Sequence, residues 1–430
     1  MLQKIADFFN GKKILILGFG REGISTYHFI RDMFPDMPLT IADRRTLTVI
    51  NDKNVTLICG DNYLDCINDF DVVMKSPGIS FRNVEVRGST LIECQTDLFL
   101  KYAPCRKIGI TGSKGKTTTS TLVYEMLKAA NLNTCLIGNI GVPVFEELKK
   151  VTPDTIAVIE MSSHQLEFTR TSPEVAIFTN IYEEHLDHYK GGFAGYVNAK
   201  LNIVRYQKEN NTFIYNADQG FGSAFDLNTI AGNRIGIKAC AELPFEFCNE
   251  HLLGKHNRQD ILFAFEAARL FGVTKEQAKT AVSEFCGIEN RMENIGEYKG
   301  ITFYNDCIAT IPHSVICAAE ALKNVDTLIF GGMDRGLDYK EFEAYLINSG
   351  IKNLIGTPET GHKICKALGQ KNNKNIYLAS DLEDAVIYAF RHTEKGKICL
   401  LSPAASSYNV YKNFEEKGKH YKQLVKKHGE

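Results

Sequence analysis

The chain has no tryptophan, no Cys-x-x-Cys pair among its twelve cysteines and almost no net charge, formally −1 over 430 residues. Each absence closes off a class of function. Without a charge surplus there is no field to hold polyanionic nucleic acid or an acidic membrane surface, so small molecules are the expected partners. Scattered thiols suit small core hydrophobes in a reducing compartment. No apolar run approaches the ~18 residues needed to span a bilayer. The start, Met1-Leu2-Gln3-Lys4-Ile5-Ala6-Asp7, lacks a hydrophobic signal core, and a cytoplasmic monomer is expected. There is no low-complexity tract and no internal repeat. What remains is long enough for two or three cores, because 430 residues exceed what one hydrophobic core organises.

The most informative stretch is Lys107-Ile108-Gly109-Ile110-Thr111-Gly112-Ser113-Lys114-Gly115-Lys116-Thr117-Thr118-Thr119, a short apolar strand leading into a glycine-rich loop and a helix predicted over Ser120 to Ala130. Such a loop binds phosphate. Gly112 and Gly115 let the backbone curl so that its N–H groups face an anion, Lys116 adds a point charge, and the Thr117 hydroxyl can reach Mg²⁺. The position where a common P-loop has its first glycine is Ile110, so the spacing departs from the usual Walker pattern. Downstream, Val158-Ile159-Glu160-Met161-Ser162-Ser163-His164-Gln165 reads as a parallel strand with polar residues at its C-terminal edge, where ligands bind. Ala176 to His188 repeats that arrangement, and Lys200 sits on the helical segment that follows, so three strands are expected to converge on one spot.

On these residues the chain resembles the Mur ligases, ATP-dependent amide-forming enzymes of peptidoglycan precursor synthesis, and within them the UDP-N-acetylmuramoyl-L-alanine:glutamate ligases. Landmarks follow in order: the Gly112 to Thr117 loop, Gly138-Asn139-Ile140-Gly141, Glu160-Met161-Ser162-Ser163, Asn180 with His185, Lys200, His256-Asn257, Arg291-Met292-Glu293, Asn305-Asp306, Gly331-Gly332-Met333-Asp334-Arg335-Gly336 and Leu401-Ser402-Pro403-Ala404. Each is a weak signal alone; their order along nearly the whole chain is not. The resemblance implies an α/β fold of three domains, Rossmann-like at both ends with an ATPase-like parallel sheet between them.

Organisation along the chain agrees. The first unit, residues 1–103, opens with Ile14 to Leu17 followed by Gly18-x-Gly20-x-x-Gly23, and Asp43 stands twenty residues beyond the third glycine. That pattern fits a dinucleotide fingerprint, and it equally fits a diphosphate on a helix N-terminus in the family's UDP-binding domain. Arg44-Arg45 after Asp43, and the Ser76-Pro77-Gly78 turn, favour the second. Gly20, Arg21, Asp43, Arg44, Arg45 and Gly78, with Asn139 from the second unit, are the expected sugar-nucleotide contacts; for Asp43 a strand-end cap is the plain structural alternative. The second unit, 104–289, has strands at Ile108, Ile156, Ala176 and Phe213 alternating with helices, including one from Asp260 to Phe271, which argues a mostly parallel sheet. The third, 290–430, has strands at Ile301, Thr327, Leu354 and Ile398 and ends in a basic helix, Phe414 to Lys427, read as a solvated face.

The chemistry implied by the resemblance is activation of a carboxylate by the γ-phosphoryl of ATP as an acyl phosphate, followed by attack of an amino acid. The loop, Ser113, Lys114 and Thr118 included, would hold the phosphates. Charge is the obstacle there, so Mg²⁺ and cationic side chains carry most of the catalysis. Thr117 and Glu160 suit a first Mg²⁺; His185 would join Glu160 at a second. An ammonium cannot ligate a cation, and the family resolves this at the lysine matching Lys200 by converting it to a carbamate with CO₂. Asn257 matches the adenine contact, and Asp260 stands where the family has a second asparagine. Arg291 and Asp306 match residues that reach ATP when the third domain closes.

The main departure is Asn305-Asp306-Cys307-Ile308-Ala309-Thr310-Ile311, where the D-glutamate-adding family shows Asp-Ser-Lys-Ala-Thr-Asn after the asparagine. Ile308 removes a lysine beside the incoming amino acid; Arg335 supplies a cation nearby. Thr310, Arg335, Ser406, Ser407 and Phe414 are the expected amino-acid contacts. A subgroup that adds L-glutamate to the same UDP-sugar has a similar altered segment, so the configuration stays open. Three rival readings stand beside this one. A folylpolyglutamate synthase shares the loop and the lysine but begins near that loop. A nicotinamide dehydrogenase would have no use for Lys116, and a non-catalytic sugar-nucleotide sensor would leave the metal residues idle.

Overall fold

The computed structural model describes residues 2–47, 52–140, 142–219, 226–249, 251–252, 254–334, 337–369 and 373–430. Three sheets account for the strands, two in a compact unit Met1–Phe285 and one in a second unit, Cys286–Glu430. The first sheet contains β1 (Ile14–Leu17), β2 (Leu39–Asp43), β3 (Val55–Cys59), β4 (Val72–Lys75) and β5 (Leu91–Glu93). Their order is β3-β2-β1-β4-β5, all parallel. Strand order reverses between β1 and β4, the place where open α/β sheets leave a crevice at their C-terminal edge. The glycine loop after β1 and the Ser76-Pro77-Gly78 turn after β4 flank that crevice.

The second sheet contains β6 (Arg106–Thr111), β7 (Thr134–Gly138), β8 (Ile156–Glu160), β9 (Val175–Phe178), β10 (Thr212–Asn216) and β11 (Asn233–Ile237). It runs β11-β10-β9-β6-β8-β7, again all parallel. β6, β8 and β9 are buried over most of their length because helices cover both faces, which is why they read as continuous apolar runs. The helix after the phosphate loop spans Lys116–Ala129, beginning four residues before the sequence-based start because Gly115, in the left-handed region, ends the loop and caps it. The helix expected from Asp260 likewise begins earlier, at Gly254, and ends at Arg269. The first two sheets share one continuous apolar core, joined by contacts such as Phe29 against Phe145 with ring centroids 4.3 Å apart.

In the second unit, β12 (Glu293–Tyr298), β13 (Ile301–Asn305), β14 (Val325–Phe330), β15 (Asn353–Gly356), β16 (Asn375–Leu378) and β17 (Ile398–Leu401) form a sheet ordered β12-β13-β17-β14-β15-β16. Only β12 is antiparallel to its neighbour. Two apolar clusters pack on its faces, one around Phe330 and Phe342 and the other around Phe303 and Tyr421. The final helix, Phe414–Gly429, buries Tyr421, Leu424 and Val425 against this sheet, and one of its basic residues, Lys417, is buried too, so the helix is not a wholly solvated basic face. No helix among the described residues is long and apolar enough to cross a membrane.

Candidate active site

The central edge is built by neighbours. β9, β6 and β8 lie side by side, so the loop after β6, Glu160 at the end of β8 and Thr179-Asn180 after β9 meet as the sequence anticipates. At Gly112, with φ +150, an added Cβ would lie 2.0 Å from the Thr179 hydroxyl; at Gly115, with φ +80, it would lie 2.5 Å from an Asp260 carboxylate oxygen. Both positions therefore demand glycine. Asn180 grips the loop from the side. Its side-chain oxygen accepts from the Lys114 N–H at 2.7 Å, its amide donates to the Lys114 carbonyl at 3.0 Å, and its carbonyl accepts the Ser113 N–H at 2.9 Å. The Thr179 hydroxyl donates to the same Lys114 carbonyl at 2.6 Å. Sequence reasoning kept Asn180 only as a landmark and passed over Thr179; the signal was a polar pair directly after an apolar strand.

Two ammonium groups converge on one carbonyl. Lys116 donates to the carbonyls of Gly112 and Ser113, each at 2.9 Å, and Lys200 donates to the Gly112 carbonyl at 2.7 Å. Lys200 is 1 % exposed on the helix Phe193–Arg205. Burial, and next the charge of Lys116, holds its ammonium well below the usual lysine range, with Glu184 and Glu160 opposing. Burial and the neighbouring Lys116 charge thus both disfavour the protonated form of Lys200.

Glu160 is 1 % exposed. Its Oε1 accepts from the Asn139 amide at 2.6 Å, and its Oε2 is buried with no hydrogen-bond partner among the described residues. Asn139, expected at the sugar nucleotide, thus stands at this carboxylate on the central sheet. Thr117 is buried in the first turn of the loop helix and Thr118 half-buried beside it. No group of three or more His, Cys, Asp or Glu side chains that could hold a metal occurs among the described residues. A carboxylate with an unused buried oxygen and a threonine hydroxyl nonetheless fit Mg²⁺, which takes one or two protein oxygens and completes its octahedron with phosphate and water. His185 lies on the exposed loop beyond β9 at φ +54, its ring edge-on to His164 at 4.7 Å.

The adenine expectation divides. Asn257 is half-buried in the first turn of its helix. Asp260 is turned under the loop instead: it is 6 % exposed, accepts from the Thr119 hydroxyl at 3.1 Å and crowds Gly115. It braces the phosphate loop, and an aspartate serves there because its neighbours are donors.

At the first sheet, Gly18 and Gly23 are needed by packing, since added Cβ atoms would lie 2.7 Å from Ile79 and 2.0 Å from the Gly18 carbonyl respectively; Gly20 faces open space. Asp43 caps the strand end. Its carboxylate accepts from the Phe19 N–H at 2.7 Å, the Arg45 N–H at 2.8 Å and the Arg45 guanidinium at 2.9 and 3.0 Å. Burial works to raise its pKa; the Arg45 and Phe19 bonds outweigh it and leave the group below the usual range. Arg44 points elsewhere, paired with Asp61 at 3.0 Å on the exposed surface. Arg21 and Gly78 are exposed beside the crevice.

The second unit presents a comparable edge after β13, β17 and β14. Asp306 is buried and committed within this unit, accepting from the Ser402 hydroxyl at 2.8 Å and the Met292 N–H at 3.2 Å; burial raises its pKa to about 6 against those bonds. Arg291 is exposed and Thr310 half-buried. Ser406 is buried against Gly332, and the Ser407 hydroxyl is buried with no hydrogen-bond partner among the described residues. Phe414 packs half-buried at the start of the last helix. Arg335 lies outside the described residues, as do Gly141 and Gly336. A cation that sequence reasoning missed is Lys417, buried with its ammonium on the Gly331 carbonyl at 2.9 Å.

Comparison with known proteins agrees with this geometry. Residues 110–240 match the Mur ligase middle domain, and residues 290–405 match the Mur ligase glutamate ligase domain. A UDP-N-acetylmuramoylalanine–D-glutamate ligase of Clostridium botulinum (strain 657 / Type Ba4) is 32% identical over 98% of each chain. The enzyme of the same name from Ligilactobacillus salivarius (strain UCC118) is 30% identical over 99% of this chain and 98% of its own. Among solved structures, the UDP-N-acetylmuramate–alanine ligase of Thermotoga maritima superposes with a TM-score of 0.56 at 17% identity, over 97% of this chain and all of that one, a likeness of fold. With full-length identity above the level at which such proteins share descent, and both domain families in their proper order, this chain belongs to the Mur ligase family.

Proposed function

We propose that the protein is an ATP-dependent ligase that adds glutamate to UDP-N-acetylmuramoyl-L-alanine in peptidoglycan precursor synthesis, with three domains at 1–103, 104–289 and 290–430. The observation that carries this reading is the convergence of the Lys116 ammonium and the Lys200 amine on the Gly112 carbonyl beside a buried, half-used Glu160 carboxylate. Such an edge has positive charge in reserve for a phosphoryl group and a free oxygen for its cation. The names of the full-length relatives support the substrate.

ATP supplies the γ-phosphoryl that turns the muramoyl-alanine carboxylate into a leaving-group-bearing acyl phosphate, and Mg²⁺, when bound, neutralises the phosphate charge. The chain's own residues do the rest. The backbone N–H groups from Gly112 to Lys116 and the helix N-terminus orient the phosphates. Lys116 leaves its carbonyl partners for the developing charge. Glu160 and Thr117 would hold the first Mg²⁺, and Glu160 with His185 the second. We assign Lys200 as a carbamate: its neutral amine adds to CO₂, forming a C–N bond and releasing one proton, and the resulting anion no longer repels a neighbouring cation. The depressed lysine pKa supports this, since only the deprotonated amine reacts. In the second unit, Ser406, Ser407 and Thr310 are read as amino-acid contacts, with Arg335 as their cation.

The test is product formation from ATP, UDP-N-acetylmuramoyl-L-alanine and each glutamate enantiomer, resolved chirally, with phosphate release measured alongside. The relatives' names favour the D-enantiomer and the Cys307 to Ile311 segment the L-enantiomer. Glutamate-independent ATP turnover, or none with either enantiomer, would overturn the reading.

A further inference from the structure

Where the first and second sheets meet, three polar atoms are buried together without a hydrogen bond among the described residues: Lys75 Nζ, Glu167 Oε2 and His188 Nε2. Lys75 and Glu167 meet as opposite charges, with the His188 ring beside them. Lys75 Nζ lies 3.3 Å from Glu167 Oε2, and His188 Nε2 lies 3.5 Å from the same oxygen. Lys75 is 4 % exposed, with its ammonium 5.4 Å from the centre of the Phe81 ring and 5.5 Å from that of Phe168. A buried lysine is costly unless it is paired, and Glu167 is its counter-charge. Burial lowers its pKa, and Glu167 works against that.

What depends on it is the loop that carries His185. His188 closes a turn with His185, its N–H donating to the His185 carbonyl at 3.0 Å. The start of the loop is tied to the phosphate loop, with the Tyr182 N–H donating to the Ser113 hydroxyl at 2.9 Å and Glu184 paired with Lys114; its far end is held from the first-sheet side. The Ser80 hydroxyl donates to the His188 carbonyl at 2.6 Å, and Arg82 donates to the Asp187 carbonyl at 3.2 Å. His164 fills the gap inside the turn, edge-on to His188 at 4.2 Å and to His185 at 4.7 Å. Lys75 is the last residue of β4, directly before the Ser76-Pro77-Gly78 turn; Ser80 and Arg82 follow that turn. A loop of the second sheet that bears a proposed Mg²⁺ contact is thus fastened to the segment of the first sheet that borders the sugar-nucleotide crevice.

We propose that Lys75, Glu167 and His188 form a positioning bridge that fixes the His185 loop to residues 75–82, so that occupancy of the sugar-nucleotide crevice and occupancy of the second cation position reinforce each other. The coupling half rests on the proposed function; the bridge itself does not. Linkage requires the effect to be reciprocal: the substrate tightens the cation by the factor by which the cation tightens the substrate.

Two readouts separate the halves. Lys75→Met keeps an unbranched apolar stem for the aromatic packing, one atom shorter, and removes the ammonium. In the ligand-free protein, amide exchange across residues 183–190 should speed by about tenfold or more, the signature of a local opening. In calorimetry, wild type should bind UDP-N-acetylmuramoyl-L-alanine about 5- to 50-fold tighter at saturating Mg²⁺ than without it, and Lys75→Met should bring that ratio close to 1. KM for ATP should stay within about twofold, because none of the three residues touches the phosphate loop. If Lys75→Met fails to fold, Ser80→Ala removes one hydroxyl bond to the same loop and should move both readouts in the same direction by less. Unchanged exchange over 183–190 overturns the bridge, and faster exchange with an unchanged binding ratio overturns the coupling. A wild type that does not bind the sugar nucleotide at all overturns the functional reading, while the exchange measurement still decides the bridge.

Discussion

Two glycine-rich loops in the first unit are built alike and charged differently. Each leaves a central parallel strand, turns on glycine at positive φ, Gly18 in one and Gly112 and Gly115 in the other, and opens a helix. Around the loop after β1 the positive charge is spent: the Arg45 guanidinium lies on Asp43, and Asp43 holds the Phe19 amide. Around the loop after β6 it is held in reserve, with the Lys116 ammonium resting on the neutral backbone carbonyls of Gly112 and Ser113. The first suits a diphosphate that is bound and left unchanged, for which backbone N–H groups and a helix N-terminus suffice. The second suits a phosphoryl group on which charge builds during reaction, where cations already in place stabilise the transition state without reorganising. On the proposed function the same turn would serve binding in one sheet and chemistry in the next, with the neighbouring side chains deciding which.

The sharpest way to break this comparison is at Lys200. Lys200→Ala should lower ligation by about 10³-fold or more, roughly 4 kcal/mol, and acetate or formate should restore part of it by filling the anionic position of the lost carbamate. Full activity without rescue would show that no anion is needed at this position. Lys200→Met adds a control on stability. Because the buried amine shares its acceptor with Lys116, removing it should cost less than about 1 kcal/mol in the ligand-free protein, as happens when a functional site is relieved of its strain. A larger loss by chemical denaturation would make Lys200 a structural residue.

Next in size is Lys116→Ala, expected to cost on the order of 3 kcal/mol of transition-state stabilisation in kcat/KM while leaving the denaturation midpoint unchanged. Gly112→Ala should act on the fold itself. With its Cβ 2.0 Å from the Thr179 hydroxyl, a loss of about 2 to 3 kcal/mol of stability is expected, from overpacking and the strained backbone together. An alanine there that leaves the melting temperature untouched would mean that the loop shifts freely, and that its glycines are not fixed by Thr179 and Asp260.

Much of this was readable in the sequence where one residue type has one use. Glycines at fixed spacing, a lysine after them, and carboxylates ending apolar strands gave the central edge, because buried parallel strands are continuous apolar runs that stop where polar ligand groups begin. Several strands were not anticipated, the short β2, β3, β5 and β7 among them, and three others have mixed patterns. β11, Asn233 to Ile237, and β16, Asn375 to Leu378, are exposed edge strands whose polar residues hide the signal. β12 carries two glutamates and bends at an irregularity between Asn294 and Gly296. Pairings distant in sequence were equally hidden. Asp260 reads as a base contact from its motif, and only the fold shows it packed under Gly115, 145 positions away along the chain. Lys75 ends an apolar strand and gives no hint that Glu167 will meet it.

The smallest expected effect separates the two loops most cleanly. Gly20 caps the helix Arg21–Met33 with φ −87, a conformation any residue adopts, and a Cβ there meets nothing within 4 Å. Serine is a better helix cap than glycine, so Gly20→Ser should leave stability unchanged or raise it by about 0.3 kcal/mol. The added hydroxymethyl group would stand where a diphosphate must approach the backbone, so KM for UDP-N-acetylmuramoyl-L-alanine should rise by about 10-fold, near 1.4 kcal/mol, with KM for ATP unaffected. This is the reverse of Gly112, where an added carbon harms the fold before any ligand arrives. Steady-state kinetics against each substrate and a thermal melt decide it. If KM for the sugar nucleotide does not move, the open face at Gly20 is not where the diphosphate binds, and the first loop's likeness to a phosphate cradle is one of backbone shape alone.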